Sequence, residues 1–185
     1  MTRLVLLNGA PASGKSTLAK VYLAARPMTL GLDVDTVRGM LGGWLERPVE
    51  AGLAARELAV AMARVHLLAG HDVLVPQYLG RLDFVLRLET LAGETGVPFV
   101  EIALVSDAAD AVARFGRRAT APQTQEHRDA AALQERVGGA GELAQMHERL
   151  LAVIAARPAT RTVVTVDGDV EGTYQRLVTA LGETG

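Results

Sequence analysis

One stretch constrains this 185-residue chain more than any other: Gly9-Ala10-Pro11-Ala12-Ser13-Gly14-Lys15-Ser16-Thr17. The apolar run Leu4-Val5-Leu6-Leu7 precedes it, and Leu18, Val21 and Tyr22 follow at the spacing of a buried helix face. The pattern is G-x-x-x-x-G-K-[ST] in a strand–loop–helix setting. Glycines let the backbone curl so that successive N–H groups converge on an anion, and the start of the helix adds the positive end of its dipole. Lys15 is long enough to reach β- and γ-phosphates, and the Ser16 hydroxyl suits a magnesium ion. The expected ligand is a nucleoside triphosphate with Mg2+: ATP, with GTP left open. Its binding residues are expected to be Gly9, Ala12, Ser13, Gly14, Lys15, Ser16 and Thr17.

The length predicts a single domain over residues 1–185 with a full hydrophobic core. A net charge of −2 gives no basic field for a long nucleic-acid footprint. Aromatic residues, at 4%, are too few for a platform that stacks several bases. The absence of cysteine excludes disulfide partners, thiolate metal sites and thiol catalysis. No apolar run approaches about 18 residues, and no basic-then-apolar leader is visible, so the expectation is a cytoplasmic protein without a membrane partner.

Along the chain, short Val/Leu runs alternate with longer stretches of helical period. Strands are expected at Arg3–Asn8, Met28–Asp33, Asp72–Val75, Pro98–Val105 and Arg161–Val166. Helices are expected at Gly14–Ala25, Asp35–Leu45, Leu53–Ala69, Leu82–Thr95, Asp107–Ala119, Glu142–Ala156 and Val170–Leu181, with Pro48 as a break. Such alternation predicts an α/β fold, a five-stranded parallel sheet covered on both faces. Ligands of such sheets bind beyond the carboxyl ends of the strands. That rule selects the phosphate loop, Asp33, Asp35, Gln77, Ser106, Asp107 and Asp167.

Asp35 and Arg38 are three apart and share a face if a helix begins there. Phosphoryl transfer needs a carboxylate to take a proton from the attacking hydroxyl and cations to hold both partners. The bland alternative makes Asp35 a helix N-cap and Arg38 a solvated charge. Arg114, Arg117 and Arg118 stand at i, i+3 and i+4 and lead into a polar segment from Thr120. Trp44 offers a ring to stack on a substrate, but on an amphipathic helix it is expected in the core, and the Asp167 carboxylate is expected to cap the last helix.

Gly9–Thr17 together with Asp35-x-x-Arg38 resembles the small P-loop kinases that include polynucleotide kinase, chloramphenicol phosphotransferase and zeta-toxin-like sugar-nucleotide kinases. The resemblance implies a three-layer sandwich with strand order 2-3-1-4-5 and a helical lid about residues 114–135. It implies that Asp35 is the general base, Arg38 an acceptor contact, and Asp33 a carboxylate near magnesium beside Ser16. Arg114 and Arg118 become lid arginines that stabilise transition-state charge. Many relatives carry an aspartate after the third strand; Gln77 stands here instead, and its amide cannot offset the charge of magnesium. Tyr78 and Arg81 are further candidates for the acceptor pocket. The expected activity is transfer of a γ-phosphate to a hydroxyl on a small molecule or a 5′-OH polynucleotide end. The alternative is a nucleotide-hydrolysing switch or an ATP-binding module without an acceptor.

Overall fold

Alternation along the first strand decides which helices lie on which face of the sheet. In the computed structural model, which describes residues 1–106 and 139–183, strand β1 (Leu4–Gly9) is buried at every position. Leu4 and Leu6 enter one hydrophobic cluster, and Val5 and Leu7 enter the other. A strand buried on both faces favours apolar residues at successive positions, so β1 reads as a continuous run up to Asn8 rather than an alternating one.

Five parallel strands form the sheet: β1, β2 (Leu30–Gly31), β3 (Val73–Pro76), β4 (Phe99–Val105) and β5 (Arg161–Val164), in the order β2-β3-β1-β4-β5. This is the order expected of a P-loop kinase fold. Helix α1 (Lys15–Ala24) and helix α6 (Val170–Ala180) cover one face, where Leu18, Tyr22 and Leu177 pack on Val5, Leu7, Leu74, Ile102 and Leu104. Helices α2 (Val34–Gly39), α3 (Pro48–Leu68) and α4 (Leu82–Thr95) cover the other face. Helix α5 (Gly139–Ala155) adds Val153 to the same cluster.

Several boundaries differ from the sequence reading, each for a local reason. Pro48 does not break the chain but starts α3 as its first residue, where a missing N–H costs nothing. Helix α2 ends at Gly39 rather than Leu45, in a stretch where Gly42 and Gly43 follow and Gly43 takes φ 69°. The cap of α2 is Asp33, whose Oδ1 accepts the Asp35 N–H at 2.8 Å, so Asp35 is not the N-cap. In the same way Asp169, not Asp167, caps α6 by accepting the Gly172 N–H at 2.8 Å. Strand β2 is only two residues long, which suits a sheet edge. The expected helix Asp107–Ala119, Arg114, Arg117, Arg118 and the lid about 114–135 lie outside the described residues.

Candidate functional site

Because all five strands run parallel, their carboxyl ends share one edge, and the phosphate loop leaves from the central strand of that edge. The loop needs its glycines for two different reasons. A Cβ on Gly9 would lie 2.7 Å from Ser13 Oγ and 3.1 Å from Leu104 Cβ, so only a hydrogen fits. Gly14 precedes α1 at φ 88°, a conformation that side chains disfavour. Ala12 also adopts positive φ, 62°, and so turns its backbone as a nest of N–H groups requires. Ser13 is buried, Ser16 half-buried and Thr17 exposed. Lys15 Nζ donates to the Gly9 carbonyl at 2.6 Å and the Ala10 carbonyl at 2.9 Å, which keeps its charge over the loop.

A buried asparagine ties the root of this loop to the neighbouring strand end. Asn8, 1% exposed, accepts the Gly9 N–H at 2.8 Å and the Leu79 N–H at 2.9 Å, and donates to the Leu79 carbonyl at 3.0 Å. Two residues earlier, the Gln77 N–H donates to the Leu7 carbonyl at 3.2 Å. The segment after β3 is thereby pinned to β1 by backbone and side chain together. The sequence reading passed over Asn8, although a lone amide ending an apolar strand, just before the loop glycine, was a signal for it.

Gln77 then reaches across to the third part of the site. Its Nε2 donates to Asp35 Oδ2 at 3.3 Å, while Arg38 holds Asp35 Oδ1 at 3.0 Å. Asp35 and Arg38 do share one face of α2, as their spacing implies. The Asp35 side chain is 53% exposed, so its carboxylate remains open to a ligand. Arg38 is more enclosed and lies with its guanidinium carbon 4.9 Å from the centre of the Trp44 ring. Trp44 is therefore a half-buried seat for Arg38 rather than a core residue, a cation–π contact that spacing alone does not reveal. Asp33, two residues before Asp35, keeps its carboxylate at the same strand end as the cap of α2.

The remaining candidates fall to either side. Tyr78 is half-buried, and its hydroxyl donates to the Met146 carbonyl of α5 at 3.0 Å; burial pushes the phenol pKa upward. Arg81 is exposed and immediately precedes α4. Asp167 lies past β5, two strands from the phosphate loop. Among the described residues no group of three His, Cys, Asp or Glu is placed to hold a metal.

Comparison with known proteins agrees with this architecture. A family model described as an AAA domain (AAA_33) matches residues 4–139. No curated protein matches the chain significantly by sequence. Among solved structures, a candidate kinase from Chloroflexus aurantiacus superposes with a TM-score of 0.64 at 17% identity, covering 98% of this chain and 96% of that one. The tunicamycin resistance protein of Deinococcus radiodurans gives 0.62 at 15% identity, covering 100% and 98%. A gluconokinase from Sinorhizobium meliloti gives 0.62 at 15% identity, covering 96% and 90%. At such identities these likenesses speak for the fold alone. The match over residues 4–139, with the phosphate loop at the head of a 2-3-1-4-5 sheet, makes this chain a member of the AAA domain family.

Proposed function

We infer that the protein is an ATP-dependent phosphotransferase that moves the γ-phosphate to a hydroxyl, with Asp35 as general base. The observation that carries this reading is the Asp35 carboxylate: held at one oxygen by Arg38 and at the other by Gln77, yet half open to solvent. It stands at the same sheet edge as a complete phosphate loop. A nucleotide-hydrolysing switch would have no use for such a pair. Similar folds include a gluconokinase and a candidate kinase, which is in keeping with the same chemistry.

In this reading the backbone N–H groups of residues 12–17 and the dipole of α1 receive the phosphates. Lys15 exchanges its two loop carbonyls for β- and γ-phosphate oxygens. An acceptor hydroxyl gives its proton to Asp35 as its oxygen attacks the γ-phosphorus; the bond to the β–γ bridging oxygen breaks, and ADP leaves with that electron pair. Arg38 is 21% exposed and already paired, so it orients Asp35 and the acceptor together. Arg114 and Arg118 are proposed to neutralise charge on the transferring group. Such catalysis is mostly positioning and electrostatics, so few side chains suffice.

Ser16 and Asp33 offer hard oxygens, a hydroxyl and a carboxylate, and these suit magnesium, which keeps much of its own water. Ser16, Asp33 and the phosphates would hold the ion. When bound, magnesium supplies charge neutralisation on the phosphates.

The acceptor is proposed to be a small molecule or a 5′-hydroxyl polynucleotide end, and the setting cytoplasmic. Trp44 and Arg38 suit a compact ligand, and a net charge of −2 argues against a long polyanion. The test is transfer of label from γ-labelled ATP with magnesium to a panel of 5′-hydroxyl DNA and RNA oligonucleotides, nucleosides, aminoglycosides, chloramphenicol, gluconate and sugar nucleotides. Label on one class of acceptor is the expected result. Release of free phosphate alone, at the same rate with and without every acceptor, would favour the hydrolytic switch.

A further inference from the structure

We propose that Gln77 is a positioning residue for Asp35, a hydrogen-bonding task that an acidic residue at that place could not perform. The inference rests on the phosphotransferase reading of the site. Three observations carry it. The Gln77 backbone is fixed to the phosphate-loop strand, through its N–H to the Leu7 carbonyl and through the Asn8–Leu79 bonds two residues on. Its side chain donates to Asp35 Oδ2 at 3.3 Å, on the oxygen that Arg38 leaves unused. Its other terminal atom, Oε1, is buried without a hydrogen-bond partner among the described residues.

These facts fit together physically. A carboxylate on a six-residue helix at the sheet edge would rotate about its side-chain bonds if Arg38 were its one anchor. With Arg38 on Oδ1 and Gln77 on Oδ2, the carboxylate plane is set by two donors. One of those donors belongs to the segment that also fixes the phosphate loop. The amide thus links acceptor chemistry to the phosphate site through two hydrogen bonds, Leu7 with Gln77 and Gln77 with Asp35, and the ion pair of Asp35 with Arg38. A glutamate or aspartate at residue 77 would repel Asp35 instead. A buried acceptor atom without a partner keeps its desolvation cost uncompensated. Such a cost is repaid when a donor arrives, and a hydroxyl or ordered water bound beside Asp35 is such a donor.

The experiment compares Gln77→Met, Gln77→Glu, Asp35→Asn and the double variant Gln77→Met/Asp35→Asn, using γ-labelled ATP and whichever acceptor takes label from the wild type. Gln77→Met is expected to lower kcat about 10- to 100-fold, the scale of a misplaced catalytic group, with KM for ATP within about twofold. Gln77→Glu is expected to lose at least as much. In the Asp35→Asn background the Gln77→Met change should have little further effect, because its influence passes through Asp35. A Gln77→Met enzyme as fast as wild type, or an equal loss in both backgrounds, would overturn the proposal. Wild type without any transfer would instead count against the phosphotransferase reading. The contact has a readout that needs no turnover: the Gln77 carboxamide N–H signals, assigned by their loss in Gln77→Met, should move in the nitrogen–proton spectrum of Asp35→Asn. Signals that stay in place would remove the physical basis of the positioning.

Discussion

Single residues at the sheet edge have tasks that their neighbours in sequence do not announce. Asn8 is the one polar side chain of β1, and its amide serves three backbone groups that would otherwise lose a partner. Burying a polar group of this kind is tolerated when its bonds are made, and removing it leaves the partners stranded. Asn8→Leu is therefore expected to destabilise the fold by about 2–4 kcal/mol, read as a lower urea midpoint at unchanged slope. A loss below about 0.5 kcal/mol would mean that the Leu79 segment finds other partners. The loop geometry at Gly9 and Gly14 and the pairing of Asp35 with Arg38 were legible in the sequence, because each follows from residue type and spacing. Asn8 and Trp44 were not, since their roles depend on which strand end or guanidinium the fold brings against them. Gln77 was visible only as a departure from an aspartate; its bond to Asp35 spans 42 positions of chain.

At the scale of elements, apolar period placed every strand, and the cap of α4 at Gly96, with φ 71°, was legible from the glycine itself. Errors came where two candidate caps lie two residues apart, as with Asp33 and Asp35 or Asp167 and Asp169. The choice between them is made by backbone direction at the turn, which residue type does not encode. Proline at 48 misled for a related reason: the same ring that breaks a helix interior is well placed at a helix start. Contacts between elements were invisible in advance. Arg157, just past α5, donates to Glu89 of α4 at 2.8 and 2.9 Å and to the buried Glu101 of β4 at 2.9 Å. The Arg157 hydrogen bonds hold the Glu89 carboxyl below its ordinary range. A carboxyl depressed in the folded state favours folding above its unfolded pKa, and that gain disappears as pH falls through the folded value. Wild type should accordingly lose more of its urea midpoint between about pH 7 and about pH 3 than Glu89→Gln does. Equal losses in the two proteins would mean that this bridge contributes nothing to acid sensitivity.

For the whole molecule, the proposed function assigns the phosphates to the loop between β1 and α1 and the acceptor to the end of β2 and α2. Strand β3 lies between them, and the segment after it joins the two. The far end of the sheet is closed by a separate cluster in which Arg3 and Arg26 both pair with Glu183 beside Tyr22, whose phenol pKa is pushed up to about 12 chiefly by burial. No helix among the described residues is long and apolar enough to cross a membrane. Strand–helix alternation made the parallel sheet legible before the structure, and the order of its strands was what the resemblance to small P-loop kinases implied. The acceptor was not, because no motif encodes it. The measurement that bears most directly on the account is Asp35→Asn assayed twice, for ATP affinity by titration calorimetry and for label transfer to the acceptor. The account predicts affinity within about threefold of wild type and transfer reduced by about 100-fold or more, the range of a lost general base. Transfer undiminished in Asp35→Asn, with ATP still bound, would contradict it.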